Sequence, residues 1–127
     1  MRFRLFTVSL ILAVGAATAA LAATSLKATM KTWKADGKTA ASMVSGRTTF
    51  DAAELSRILE TYINDSKGFE ARIKGTTAEA KDLKARFVKF EADAASALAV
   101  IGEPAQVEGR LSTVLSNCKS CHDVHAN

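Results

Sequence analysis

Three residues near the C-terminus have side chains and a spacing that suit metal or cofactor chemistry. Cys118 and Cys121 are the two cysteines of the 127-residue chain, and His122 follows the second one directly in "SNCKSCHDVHAN". On a helix, positions i, i+3 and i+4 lie on one face, so both thiols and the imidazole are predicted to lean in the same direction. Such a group could bind zinc, form a redox disulfide or attach a haem.

The haem interpretation explains this spacing best. C-x-x-C-H is the sequence pattern of c-type haem attachment, in which two thioether bonds fix one edge of the ring and the adjacent histidine reaches the iron. A zinc site could recruit His125, but structural zinc usually takes its ligands from two separated segments. A redox C-x-x-C stands at a helix start within a βαβ pattern, which this sequence lacks. A haem-free metal-binding helical bundle is kept as an alternative.

Four amphipathic helices are predicted to position this group. The chain is rich in alanine and has one proline, which favours helices over sheet. Apolar residues recur at steps of three and four in four stretches, and this predicts an all-α, antiparallel four-helix bundle. The predicted stripes are Leu26, Met30, Trp33, Gly37, Ala41 and Val44; Leu55, Ile58, Leu59, Tyr62 and Ile63; Leu83, Phe87, Phe90, Ala94, Ala97 or Leu98, and Ile101; and Val107, Leu111, Val114 or Leu115, and Cys118.

Local signals predict where the helices begin and end. Asp51 can cap the second helix and Glu54 can reach back to it. The turn-forming residues 64–68 are predicted to end that helix, followed by a loop that extends to residue 77. The other predicted boundaries are a stop at Gly46, a cap at Thr76 or Thr77, a stop at Gly102 and a start at Pro104.

Residues 1–22 are predicted to be a cleaved signal peptide. Arg2 and Arg4 precede a long apolar run that ends in Ala20-Leu21-Ala22, and this order is typical of secretory signals. The alternative is a retained membrane anchor. Cleavage leaves one domain, residues 23–127. The signal contains two of the 17 Lys and Arg residues, so 17 − 2 = 15 basic residues remain beside the 13 Asp and Glu residues. This small positive charge gives no reason to expect nucleic-acid binding.

The sequence resembles class II cytochromes c, the cytochrome c-prime family and its low-spin, methionine-ligated members. Besides C-x-x-C-H, the stretch "MKTWKADGKTAASMVSG" followed by "FDAAEL" is similar to their first helix and the start of their second, and Phe90 matches an aromatic in their third. The resemblance implies a periplasmic four-helix bundle with one haem c near the C-terminal helix. It makes Cys118 and Cys121 the thioether ligands, His122 the proximal iron ligand and Met30 the sixth ligand.

Ligation by His122 and Met30 implies electron transfer. Two axial ligands leave no site for a substrate or gas, and a methionine ligand raises the reduction potential. The alternative is a five-coordinate cytochrome c-prime that binds nitric oxide or carbon monoxide.

The sequence departs from the family at Ala126, where the high-spin members commonly have a basic residue, and at Leu26, where many members have arginine. We expect redox partner proteins, no enzyme activity, no membrane contact after cleavage, and a monomer or homodimer.

Three further residues and one patch receive non-ligand interpretations. Met43 and Trp33 are predicted to be core residues, because methionines and aromatics on an apolar stripe usually are. His125 is predicted to be an exposed, frayed terminal residue. The basic patch of the third helix could dock an acidic partner, although a solvated face is the simpler interpretation; it consists of Lys81, Lys84, Arg86 and Lys89.

Overall fold

The structure is a ring of four packed helices. The computed structural model describes residues 26–125, and its elements are α1 Leu26–Val44, α2 Ala52–Arg72, α3 Ala78–Ala99 and α4 Pro104–His125. Each helix packs against the next, and α1 also packs against α4. Short connections make successive helices antiparallel, so the predicted four-helix bundle is confirmed. The predicted signal peptide and Ala126 lie outside the described residues.

The core draws side chains from all four helices. Tyr62, Leu55, Ile58 and Leu59 of α2 are almost fully buried, and each such side chain contributes on the order of 1.5–3 kcal/mol through burial. The predicted stripes of α3 and α4 supply Phe87, Phe90, Ala94, Ala97, Val107, Leu111 and Val114. Among the described helices, none is both long enough and apolar enough to cross a bilayer.

The stripe predicted for α1 is partly wrong. The buried positions of this helix are Thr29, Trp33, Gly37, Ala40 and Met43, so the core face is rotated away from the predicted one. Leu26 is 39% exposed, while Met30 and Ala41 are half-buried and line a cavity. Met30 also packs against the core. The core predictions for Trp33 and Met43 are confirmed.

The predicted end of α2 is wrong. The helix does not stop at residues 64–68 but continues to Arg72. Ser66 and Phe69 on this extension are buried, and the ring of Phe69 stacks on that of Phe87 with 5.3 Å between centroids. Packing of this face against α3 outweighs the weak helix propensities of asparagine, aspartate, serine and glycine.

Other boundaries follow the predicted signals. Asp51 accepts a hydrogen bond from the backbone N–H of Glu54 at 3.1 Å, although the Glu54 carboxylate pairs with Arg57 instead of reaching back. Thr77 caps α3 through the N–H of Ala80. Gly46 follows α1 with φ of 77°, a left-handed conformation that glycine adopts without steric cost.

Candidate functional site

The two cysteines and the histidine of C-x-x-C-H lie together on the last turns of α4. Cys118 and His122 line a cavity of about 910 Å³ between α1 and α4. A small recess adjoins it and is lined by Cys118, Cys121 and His122 together. The spacing therefore brings both thiols and the imidazole to one cavity system, as a helical face should.

The opposite wall of the cavity comes from α1. Met30 and Trp33 line both the main cavity and the recess, as Cys118 and His122 do. Met30 and His122 thus line the same cavity from two different helices. Met43 is buried in the core and does not line the cavity.

Aromatic rings support the wall behind Met30. Trp33 stacks on Phe90 with 4.8 Å between centroids and a 22° angle between planes, and Tyr62 meets Trp33 edge-on at 5.2 Å. The Trp33 indole N–H donates to Asp65 Oδ2 at 2.9 Å. These contacts fix the indole on the α1 wall, and sequence reasoning did not find Asp65 because its partner lies 32 positions away.

Close helix approach at this wall depends on Gly37. Tyr62 Oη donates to the Trp33 carbonyl at 2.9 Å, and burial raises the pKa of this phenol, which keeps it a donor. A Cβ at Gly37 would lie 3.2 Å from Tyr62 Oη and 3.2 Å from Leu115 Cδ2. Glycine therefore lets α2 and α4 approach the backbone of α1 beside the cavity.

The two thiols are not part of a preformed zinc site in the described part of the chain. Burial is the main cause that raises the pKa of Cys118 and of Cys121, whereas zinc binds the deprotonated thiolate. Within residues 26–125, no three His, Cys, Asp or Glu side chains are grouped closely enough to share a metal ion. The haem-free alternative thus finds no set of converging ligands in the described part of the chain.

The interpretation of His125 as a frayed, exposed residue is wrong. Its Nε2 lies 2.7 Å from Asp82 Oδ2, and its side chain is only 11% exposed. The same carboxylate binds Arg86 at 2.7 Å, and Arg86 lines the recess with the two cysteines. Asp82 therefore ties the last turn of α4 to α3. Sequence spacing within one helix could not reveal this contact between two helices.

The chemistry of the cavity wall fits a covalently attached haem. The volume of the cavity, about 910 Å³, lies within the range of about 300–1,000 Å³ that is usual for ligand sites. Two thiols stand one helical turn apart, an imidazole adjoins the second, and a thioether faces the same space from α1. Apolar and aromatic side chains supply much of the remaining wall, as a flat macrocycle requires.

Comparison with known proteins agrees with this fit. Over 110 residues the chain is 33% identical to a cytochrome c′ of Rhodopseudomonas palustris, an alignment that covers 76% of this chain and 75% of that protein. No family model matches the chain. No solved structure matches it either. The chain belongs to the cytochrome c′ family, and membership implies one covalently bound haem c.

Proposed function

We propose that this protein is a c-type cytochrome that transfers single electrons through a haem whose iron His122 and Met30 would bind. The observation that carries the proposal is the shared cavity. Met30 on α1 and His122 on α4 line the same space, together with the thiol of Cys118. Met30 is also the first-helix position that the family resemblance makes the sixth ligand.

Each site residue has a defined part in this proposal. Cys118 and Cys121 hold the ring covalently, so that it stays bound in both redox states. The haem supplies a one-electron iron couple when bound. His122 and Met30 would both bind the haem iron, which would leave it no open position for a gas or a substrate. Trp33 holds its side of the wall rigid through its contacts with other rings.

A second candidate is a five-coordinate, gas-binding cytochrome. The relative favours this candidate, because it carries the name cytochrome c′. High-spin proteins of that type are expected to leave the sixth position of the iron open. In that case Met30 only fills space beside the iron, and carbon monoxide or nitric oxide binds there.

Carbon monoxide distinguishes the two candidates. We expect the reduced holoprotein to show a low-spin spectrum that does not change when carbon monoxide is added. Met30→Ala should become high-spin and bind the gas, while Met43→Ala, which alters a methionine of the core, should behave as wild type. A wild-type spectrum that shifts at once with carbon monoxide would contradict electron transfer and favour gas binding.

Export to the periplasm is part of the proposal. It is supported by the sequence pattern of residues 1–22 and by covalent haem attachment, which the family membership implies. We expect the periplasmic product to begin at Ala23 and to remain soluble after the membranes are removed. Mass spectrometry of the purified protein tests this, and a mass that includes residues 1–22 would indicate a retained anchor.

A further inference from the structure

Four lysines form a row along the cavity side of α1. Lys27, Lys31, Lys34 and Lys38 follow one another at steps of four, three and four residues, which places them on one helical face. All four are exposed, and all four line the cavity that holds Met30 and His122. We call this set the lysine row.

The lysine row is not neutralised within α1. The one acidic residue of this helix is Asp36, and its carboxylate is bound by Arg57 of α2 at 3.2 Å. Among the four helices, α1 alone has more basic than acidic residues. The small excess of positive charge on residues 26–125 is therefore concentrated at the mouth of the cavity.

The basic patch of α3 differs in this respect. Arg86 pairs with Asp82 at 2.7 Å and Lys89 pairs with Asp93 at 2.6 Å. The helix contains four acidic residues against its four basic ones, so its face is balanced. These pairs agree with the simpler interpretation of the α3 patch as a solvated face, and the surplus of basic residues lies on α1.

We propose that the lysine row is the docking surface for an acidic redox protein. The inference rests on the proposed electron-transfer function, because docking matters only if the partner comes close to the haem. Complementary charge steers and orients such encounters. The haem brings two propionate carboxylates, so four lysines retain an excess of positive charge even where two are paired.

A second copy of this chain is a less suitable occupant. In a two-fold dimer built on this face, the lysine row of one protomer would meet that of its partner, because such interfaces use the same patch twice. Like charges placed together oppose association. An acidic surface has no such penalty.

The test uses the holoprotein on a gold electrode coated with a carboxylate-terminated alkanethiol monolayer, which represents an acidic protein face. We compare wild type with Lys31→Glu/Lys34→Glu. The matched control is Lys74→Glu/Lys81→Glu, which makes the same change in net charge at residues that do not line the cavity. Optical spectra establish haem attachment in each protein, and a solution redox titration records each couple.

We expect wild type to give an adsorbed voltammetric wave at low ionic strength that is lost as salt is added. The lysine-row variant should retain about tenfold less electroactive protein than wild type, and the control variant should remain close to wild type. Equal losses in both variants would overturn the proposal. The proposal would also be overturned if wild type showed a reversible couple in solution but did not adsorb on the electrode. That result would leave the proposed electron-transfer function intact.

Two other results would also overturn it. If the solution titration of wild type shows no reversible couple, the proposed electron-transfer function fails and the docking surface fails with it. If sedimentation shows a wild-type dimer that dissociates in Lys31→Glu/Lys34→Glu, the row belongs to a self-association interface.

Discussion

At the scale of single residues, the hydroxyl of Tyr62 fixes the wall that carries Met30. It donates to the Trp33 carbonyl at 2.9 Å from a side chain that is 1% exposed. Because Gly37 has no Cβ, the phenol can approach the α1 backbone closely. One buried hydrogen bond therefore links α1 to α2 beside the cavity.

We expect Tyr62→Phe to lower the free energy of unfolding by about 1 kcal/mol, the usual contribution of such a bond. Urea unfolding of the holoprotein measures it. Thr61→Val is the control, since the Thr61 hydroxyl only donates to the carbonyl of Arg57 in its own helix. An equal loss of unfolding free energy in both variants would show that the hydrogen bond between α1 and α2 stabilises the protein no more than one within a single helix.

We expect the carboxyl pair of Glu70 and Glu91 to make stability depend on pH. Burial, followed by the hydrogen bond and charge of Glu91, raises the pKa of Glu70 from 4.5 to about 7, against smaller opposing effects of Lys84 and Lys67. Between about pH 4.5 and pH 7, the folded state therefore holds a proton that the unfolded chain releases. This contribution is complete below about pH 4.5 and is lost as the pH rises through 7.

Glu70→Gln should remove this dependence. We expect its urea midpoint to match that of wild type at pH 4.5 and to exceed it at pH 8, because glutamine keeps the neutral form. Glu60→Gln, an exposed position on the same helix, should leave the wild-type slope unchanged. A slope that is identical in wild type and Glu70→Gln would contradict the shared proton.

At the scale of elements, α2 is longer than local sequence signals suggest. Gly68 lies inside the helix, and a Cβ added there meets nothing within 4 Å. We expect Gly68→Ala to stabilise the protein by about 0.5–1 kcal/mol, since alanine is the better helix former. Thermal unfolding tests this, and a destabilised variant would indicate that residue 68 is not helical.

The packing of Phe69 explains the extension. Its ring contacts Trp33 and Phe87 and is 7% exposed. We expect Phe69→Ala to cost about 3 kcal/mol, as is usual for a buried phenylalanine. A loss below about 1 kcal/mol, the scale of many surface changes, would contradict a packed last turn.

These elements show what sequence reasoning could reach. Apolar periodicity predicted all four helices, and the caps at Asp51 and Thr77 were found because their signals are local. The end of α2 was missed because Phe69 is held by rings on other helices. The contact between Asp82 and His125 was missed for the same reason, since it joins residues 43 positions apart.

The candidate site was predictable to a similar degree. C-x-x-C-H is a short, local pattern, and helical geometry alone predicts that its side chains share a face. Met30 required the family resemblance, because spacing does not distinguish a ligand from the core methionine Met43. The lysine row required the structure, since only the cavity shows which face of α1 borders the site.

At the scale of the whole molecule, the cavity divides the bundle into a packed part and an incomplete part. A space of about 910 Å³ lies between most of α1 and the C-terminal half of α4, and apolar walls of this size are unfavourable when exposed to water. A haem attached in this cavity would therefore complete the core, in addition to the electron transfer that we propose for it.

We expect the chain without haem to be poorly folded. The comparison is between the same sequence expressed with and without the haem-attachment machinery, followed by thermal unfolding monitored by circular dichroism. The haem-bearing protein should unfold cooperatively, and the haem-free protein should show a broad transition at a markedly lower temperature. Cooperative unfolding of both forms at similar temperatures would contradict this role for the haem.

The most direct test of the central claim is the proton NMR spectrum of the reduced holoprotein. A methionine bound to low-spin iron holds its methyl group above the ring, where the ring current shifts the resonance far upfield. We predict one such resonance, absent in Met30→Ala and retained in Met43→Ala. A wild-type spectrum without it would contradict ligation by Met30 and the electron-transfer function built on it.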